Sequence, residues 1–143
     1  MPDKLKVLFL CTGNSCRSQM AEGWARHLKG DVIEPFSAGT ERHGLNPRAV
    51  LVMDEAGVDI SGHTSKTLAD LRGVHLDWVV TVCGHANETC PVFPGRVKKV
   101  HVGFDDPPKL AAEEQDPERA LDHFRRVRDE IRARIEAELE NIL

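Results

Sequence analysis

Cys11, Arg17 and Ser18 carry the strongest chemical signal in this sequence of 143 residues. Cysteine and arginine are separated by five residues, Thr12-Gly13-Asn14-Ser15-Cys16, and an apolar run, Val7-Leu8-Phe9-Leu10, leads into the cysteine. Gly13 and Asn14 are residue types that tolerate positive φ, so the backbone is expected to curl between a strand and a helix. Such a curl turns successive N–H groups inward and, with a helix N-terminus behind it, forms a cradle for a tetrahedral oxyanion. The residues from Thr12 to Ser18 are therefore the expected oxyanion-binding set, Cys16 and Ser15 included. Arg17 adds a planar fork that matches two oxygens of a phosphate-like group. A cysteine at the mouth of this positive site is favoured as the thiolate, the form that acts as a nucleophile. The Gly-Lys-Ser/Thr ending of a Walker A loop is absent.

The other cysteines are Cys16, Cys83 and Cys90. No secretory leader pattern is visible at Met1-Pro2-Asp3-Lys4, where the apolar run that follows is too short. No stretch has the length of a membrane-spanning helix. The expected location is the cytoplasm, a reducing compartment in which catalytic, metal-binding or buried thiols prevail over disulfides. The spacings Cys11-x4-Cys16 and Cys83-x6-Cys90 do not match the C-x2-C knuckle of structural zinc, and no metal is expected. A net charge of −4 argues against general nucleic-acid binding and leaves any positive potential local.

These side chains need a scaffold. Residues 4–10 read as a strand covered on both faces, and 18–28 as a helix with apolar positions at Met20, Ala21, Trp24, Ala25 and Leu28, ended by Gly30. Residues 32–38, 76–82 and 97–102 read as three further strands. Asn46-Pro47 starts a helix through 56, a short helix is expected at 68–71, and Asp116-Pro117 caps a long final one. Its apolar stripe runs Ala120, Leu121, Phe124, Val127, Ile131, Ile135 and Leu139, with solvated charges elsewhere. Residues 103–108 read as a loop and 84–90 as helical or irregular. Trp24, Trp78 and Phe124 are expected in the core. Strands alternating with helices over 1–143 define one α/β domain, a three-layer sandwich around a four-stranded parallel sheet. In such sheets ligands sit at the carboxyl ends of strands, where Cys11, Cys83 and Asp106 converge.

At the level of motifs, Cys11 to Gly23 resembles the loop and first helix of the arsenate reductases that share the low-molecular-weight tyrosine phosphatase fold. Ser37-Ala38-Gly39, His43-Gly44-Leu45-Asn46-Pro47, Asp59-Ile60-Ser61, Val79 to Cys83, Gly103 to Pro107 and Phe124 to Ile131 extend the resemblance over almost the whole chain. It implies that Cys11 attacks arsenate, with Arg17 and the loop amides holding the oxygens and Ser18 supporting the thiolate. Asp106, directly before Pro107, is implied as the proton donor, and Asp105 as a structural acid. Cys83 is implied to attack Cys11, releasing arsenite, and Cys90 to attack Cys83; thioredoxin then reduces the Cys83–Cys90 pair, and no cofactor is bound.

Phosphate and sulfate are implied competitors, and a monomer is expected. Several family members bind potassium through residues matching Asn14, Glu22, Ser37 and an aspartate that is Lys66 here; an ammonium in the cation's place makes the site independent of potassium. Cys16 is expected to face the core, and His85 to be a solvated surface histidine. A low-molecular-weight phosphotyrosine phosphatase uses the same loop and acid without the relay; the chain has no tyrosine, and Pro108-Lys109 follows its acid-loop Asp-Pro. A thiol-based sensor or oxyanion-binding module would not need Asp106.

Overall fold

A run of four aliphatic and aromatic residues is stable as a strand only where both of its faces are covered. In the computed structural model, which describes residues 3–90, 93 and 95–143, β1 (Leu5–Cys11) meets that demand. Val7, Leu8, Phe9 and Leu10 are all fully buried, although successive side chains point to opposite faces. The sheet is therefore the middle of three layers. Its order is β2-β1-β3-β4, with β2 (Ile33–Gly39), β3 (Trp78–Thr81) and β4 (Lys98–His101), and every pairing is parallel.

Helix α1 (Arg17–Lys29) packs against β1, β2 and α5 (Pro117–Ile142), and α2 (Pro47–Glu55) also packs on α5. Helix α3 (Gly84–Thr89) lies against β1 and β3, and α4 (Pro107–Ala111) against α5. On α5 the expected stripe is buried at Ala120, Phe124, Val127, Ile131, Ile135 and Leu139, while Leu121 is only half-buried. No described helix is long and apolar enough to cross a membrane.

Several expectations need correction. Strands β3 and β4 are shorter than expected because their mutual pairing runs only from Trp78↔Lys98 to Thr81↔His101. Trp78, at the start of β3, is half-buried rather than core, and the Lys98 ammonium lies 5.4 Å over its ring. Residues 107–111 are helical, because proline at a first helical position needs no hydrogen-bond partner for the N–H it lacks. Gly30 caps α1 in an ordinary right-handed conformation; its lack of a Cβ matters because one would stand 2.3 Å from the Arg26 carbonyl. Not every charge of α5 is solvated. Arg128 is largely buried and donates to the Val52 carbonyl at 2.9 Å, fastening α5 to α2.

Candidate active site

β1 delivers Cys11 to the carboxyl edge of the sheet, and residues 40–46 run along the outside of the loop that follows. The amides of Thr40, Glu41, His43 and Asn46 donate to the carbonyls of Cys11, Thr12, Gly13 and Ser15 at 3.1, 2.9, 2.9 and 2.9 Å. A peptide's N–H points opposite its C=O, so these bonds turn the amides of Thr12, Gly13, Asn14 and Cys16 away from that segment. The N-terminus of α1 at Arg17 lies directly behind these amides. Of the two residues expected at positive φ, only Asn14 adopts it, at +48°. Gly13 serves close approach instead: an added Cβ would lie 2.3 Å from His43 Nδ1.

Behind the loop lies a buried hydrogen-bond chain. Cys11 Sγ is 2.8 Å from Ser18 Oγ, and Asn14 Nδ2 donates to the same oxygen at 2.8 Å. The serine oxygen is thus used as acceptor, and its hydrogen is left for the sulfur. Asn14 Oδ1 accepts from Gln19 Nε2 at 2.9 Å and from the Lys66 amide at 2.7 Å. Gln19 Oε1 lies 3.0 Å from His63 Nδ1; an amide oxygen only accepts, so Nδ1 carries the hydrogen. His63 Nε2 then accepts from Arg26 Nη1 at 3.1 Å and faces Glu22 Oε2 at 3.3 Å. Burial holds the His63 pKa below the ordinary imidazole value; Glu22 opposes this, and Arg26 and Lys66 reinforce it. Cys16, at the N-cap of α1, is buried as expected, and that burial pushes its thiol pKa far up despite neighbouring Arg17, so it stays a thiol.

Arg17 links the loop to the acid segment. Its Nη1 donates to the Phe104 carbonyl at 3.1 Å, and Nη2 lies 3.7 Å from Asp106 Oδ2. Asp105 turns the other way and accepts from Arg126 Nη2 at 3.0 Å, so the two neighbouring aspartates face different arginines. A cavity of about 210 Å³ is lined by the loop from Cys11 to Arg17, the buried Asn14 apart, together with His43, Asp106 and Pro108.

Cys83 lies two residues beyond β3 and is buried. It is the N-cap of α3: its sulfur accepts from the Ala86 amide at 3.4 Å and lies 3.3 Å from Thr12 Oγ1. The second thiol therefore touches the residue next to Cys11. Cys90 is half-buried at the other end of α3. His85 is exposed, and Pro91, the residue after Cys90, lies outside the described residues. Sequence reasoning singled out neither Gln19, His63 nor His43 for this site.

The residues matched to a potassium site do not suit one. The Glu22 carboxylate already takes the Ser37 hydroxyl at 2.7 Å and Arg26 Nη1 at 3.0 Å, and Lys66 Nζ stands 4.0 Å away. Among the described residues no cluster of histidine, cysteine or carboxylate side chains could hold a metal ion.

A parallel sheet carrying C-x5-R-S at the carboxyl end of its first strand, with an aspartate facing the arginine, defines a loop-cysteine oxyanion protein. The chain belongs to the low molecular weight phosphotyrosine protein phosphatase family, whose model matches residues 6–143. It is 53% identical over 133 residues to the arsenate reductase of Halalkalibacterium halodurans, covering 93% of this chain and 94% of that one. Among solved structures it resembles an arsenate reductase in the phosphate binding state, with a TM-score of 0.70 and 32% identity over 97% of this chain and 99% of that one. It also resembles a thioredoxin-dependent arsenate reductase of Corynebacterium glutamicum, with a TM-score of 0.69 and 29% identity over 97% of this chain and 62% of that one.

Proposed function

We propose that this protein is an arsenate reductase that works through a three-thiol relay. The observation that carries the reading is Cys83 Sγ at 3.3 Å from Thr12 Oγ1, a second buried thiol against the loop that begins at Cys11. Arsenate enters the cavity, where the loop amides and Arg17 hold its oxygens. The Cys11 thiolate forms a bond to arsenic as the bond from arsenic to one of its hydroxyls breaks, and that hydroxyl leaves as water with a proton from Asp106. Cys83 then attacks the Cys11 sulfur. The sulfur–arsenic bond breaks with its electron pair going to arsenic, As(V) becomes As(III), and arsenite leaves a Cys11–Cys83 disulfide. Cys90 attacks Cys83, freeing Cys11, and the dithiol of thioredoxin reduces the Cys83–Cys90 pair. Two electrons enter and two leave, so no bound cofactor is needed.

Inorganic phosphate and sulfate compete for the same cradle, and a reducing compartment such as the cytoplasm suits the free thiols. The last exchange makes a demand on α3. Seven residue steps separate Cys83 from Cys90, about 10.5 Å along a helix axis. A disulfide needs its Cα atoms within about 7 Å. The helix must unwind when the pair oxidises, which its six-residue length makes cheap.

The experiment is arsenate turnover with thioredoxin, thioredoxin reductase and NADPH. Cys90→Ser should complete one turnover and then stop; full multiple-turnover activity without Cys90 would refute the relay. Cys83→Ser should release no arsenite yet keep any phosphate-ester cleavage, since that chemistry uses only Cys11, Arg17 and Asp106.

A further inference from the structure

Glu41 and His43 have no part in the relay, yet His43 stands at the mouth of the oxyanion cavity. Three backbone hydrogen bonds, from Thr40, Glu41 and His43 to the loop carbonyls, keep this segment from swinging away. His43 Nε2 lies 2.7 Å from Glu41 Oε2; a carboxylate only accepts, so Nε2 carries the hydrogen and the ring is clamped. Its other nitrogen, Nδ1, faces Gly13, where even a methyl group would collide with it. The imidazole, with half of its side chain exposed, is thus contacted at both edges.

An oxyanion bound by the loop amides and Arg17 directs its remaining oxygen to Asp106, at the mouth. In an inorganic anion that oxygen carries nothing larger than hydrogen. In an ester or a phosphonate the outward position bears a carbon group, which must leave past His43 and Pro108. The cavity is about 210 Å³. Sites for organic ligands are usually about 300–1,000 Å³.

We propose that His43, positioned by Glu41, is a specificity-determining residue that reserves the site for inorganic oxyanions by walling off the path of an organic substituent. The proposal rests on the oxyanion reading of the Cys11 loop and uses no step of the thiol relay.

Isothermal titration calorimetry on the reduced, full-length protein tests it with two probes, inorganic phosphate and the non-hydrolysable phenylphosphonate. The wild type should bind inorganic phosphate about tenfold more tightly or better, and His43→Ala should shrink that preference at least about fivefold. Glu41→Gln should shift it in the same direction by about twofold or more, because the ring loses its clamp. His43→Phe, which restores the bulk of the wall, should keep the wild-type preference. A preference unchanged in His43→Ala, both probes weakened equally there, or a preference lost in His43→Phe would each overturn the proposal. If circular dichroism finds His43→Ala unfolded, Glu41→Gln decides by the same ratio. Wild-type arsenate turnover, measured alongside, is a separate readout: its absence with the probe preference intact would sink the reductase reading alone.

Discussion

Asn14 bears the largest local cost in the loop and holds the most of it together. Its backbone is in the left-handed region, where asparagine is tolerated far better than alanine. Its buried side chain joins Ser18, Gln19 and the Lys66 amide. Replacing it with alanine strains the backbone and leaves buried partners unpaired, and should cost about 2–4 kcal/mol in urea unfolding. The same change frees the Ser18 hydroxyl from the orientation that serves Cys11, so kcat/KM for arsenate should fall about 10- to 100-fold. A variant within about 0.5 kcal/mol of wild type would mean that the network is not structural. Lys66 and Arg26 supply positive charge around Glu22, so arsenate turnover should be equal in potassium and sodium chloride at matched concentration. Activity that rises with potassium alone would contradict this. Cys11, Arg17, Ser18 and Asp106 were legible in the sequence because their geometry is set by a short loop or by the residue beside them. Gln19 and His63 were not, because 44 residues separate them and nothing local marks the pairing.

At the scale of elements, the sequence located the strands, the long helices and the short helix at 68–71, but misread the segment that follows β4. Asp105-Asp106-Pro107-Pro108 has the composition of a loop, yet proline at a first helical position starts α4 there and leaves Asp106 at its N-cap, facing Arg17. The loop from 61 to 67 has no periodicity either, although it supplies His63, Ser65 and Lys66 to the back of the Cys11 loop. His63 ties that loop to α1, and its folded pKa lies below the unfolded value of about 6.5. Around neutrality both folded and unfolded chains keep it uncharged. As pH falls through the unfolded value, the unfolded chain takes up a proton that the folded chain, with His63 among Arg26, Lys66, Glu22 and Asp59, resists. Its contribution to stability is therefore present above about pH 6.5 and lost towards acid. Urea unfolding of wild type and His63→Gln checks this: the stability difference in favour of wild type should shrink from pH 7.5 to pH 5.5. A difference constant over that range would show that His63 does not titrate in this window.

For the whole molecule, the α/β alternation was readable because each element's hydrophobic period is local, whereas the order β2-β1-β3-β4 depends on pairings between distant segments. That order puts β1 inside the sheet, so the loop that begins at Cys11 grows from a strand buried on both faces, and α1 and α5 close the layer beneath it. Burying the apolar residues this completely leaves little for a second copy to cover. Among the described residues the exposed large apolar side chains are Val32, Leu51 and Leu143. They lie on separate elements: Val32 before β2, Leu51 on α2 and Leu143 at the chain end. Stable interfaces bury about 800 Å² on each partner around an apolar centre. The flank of α2 and α5 is held instead by exposed ion pairs such as Arg125 with Glu55, which add little to association when screened by salt. The other exposed edge, β4, carries Lys98 and Lys99, the charges that keep an edge strand from pairing with another sheet. The protein should therefore sediment as a single species of 15.9 kDa at micromolar concentration, with or without phosphate. A concentration-dependent dimer in sedimentation velocity would mean that a surface outside these residues, or one created when α3 unwinds, joins two copies. The second case would be distinguished by a dimer that forms only in the oxidised protein and disappears on adding a dithiol.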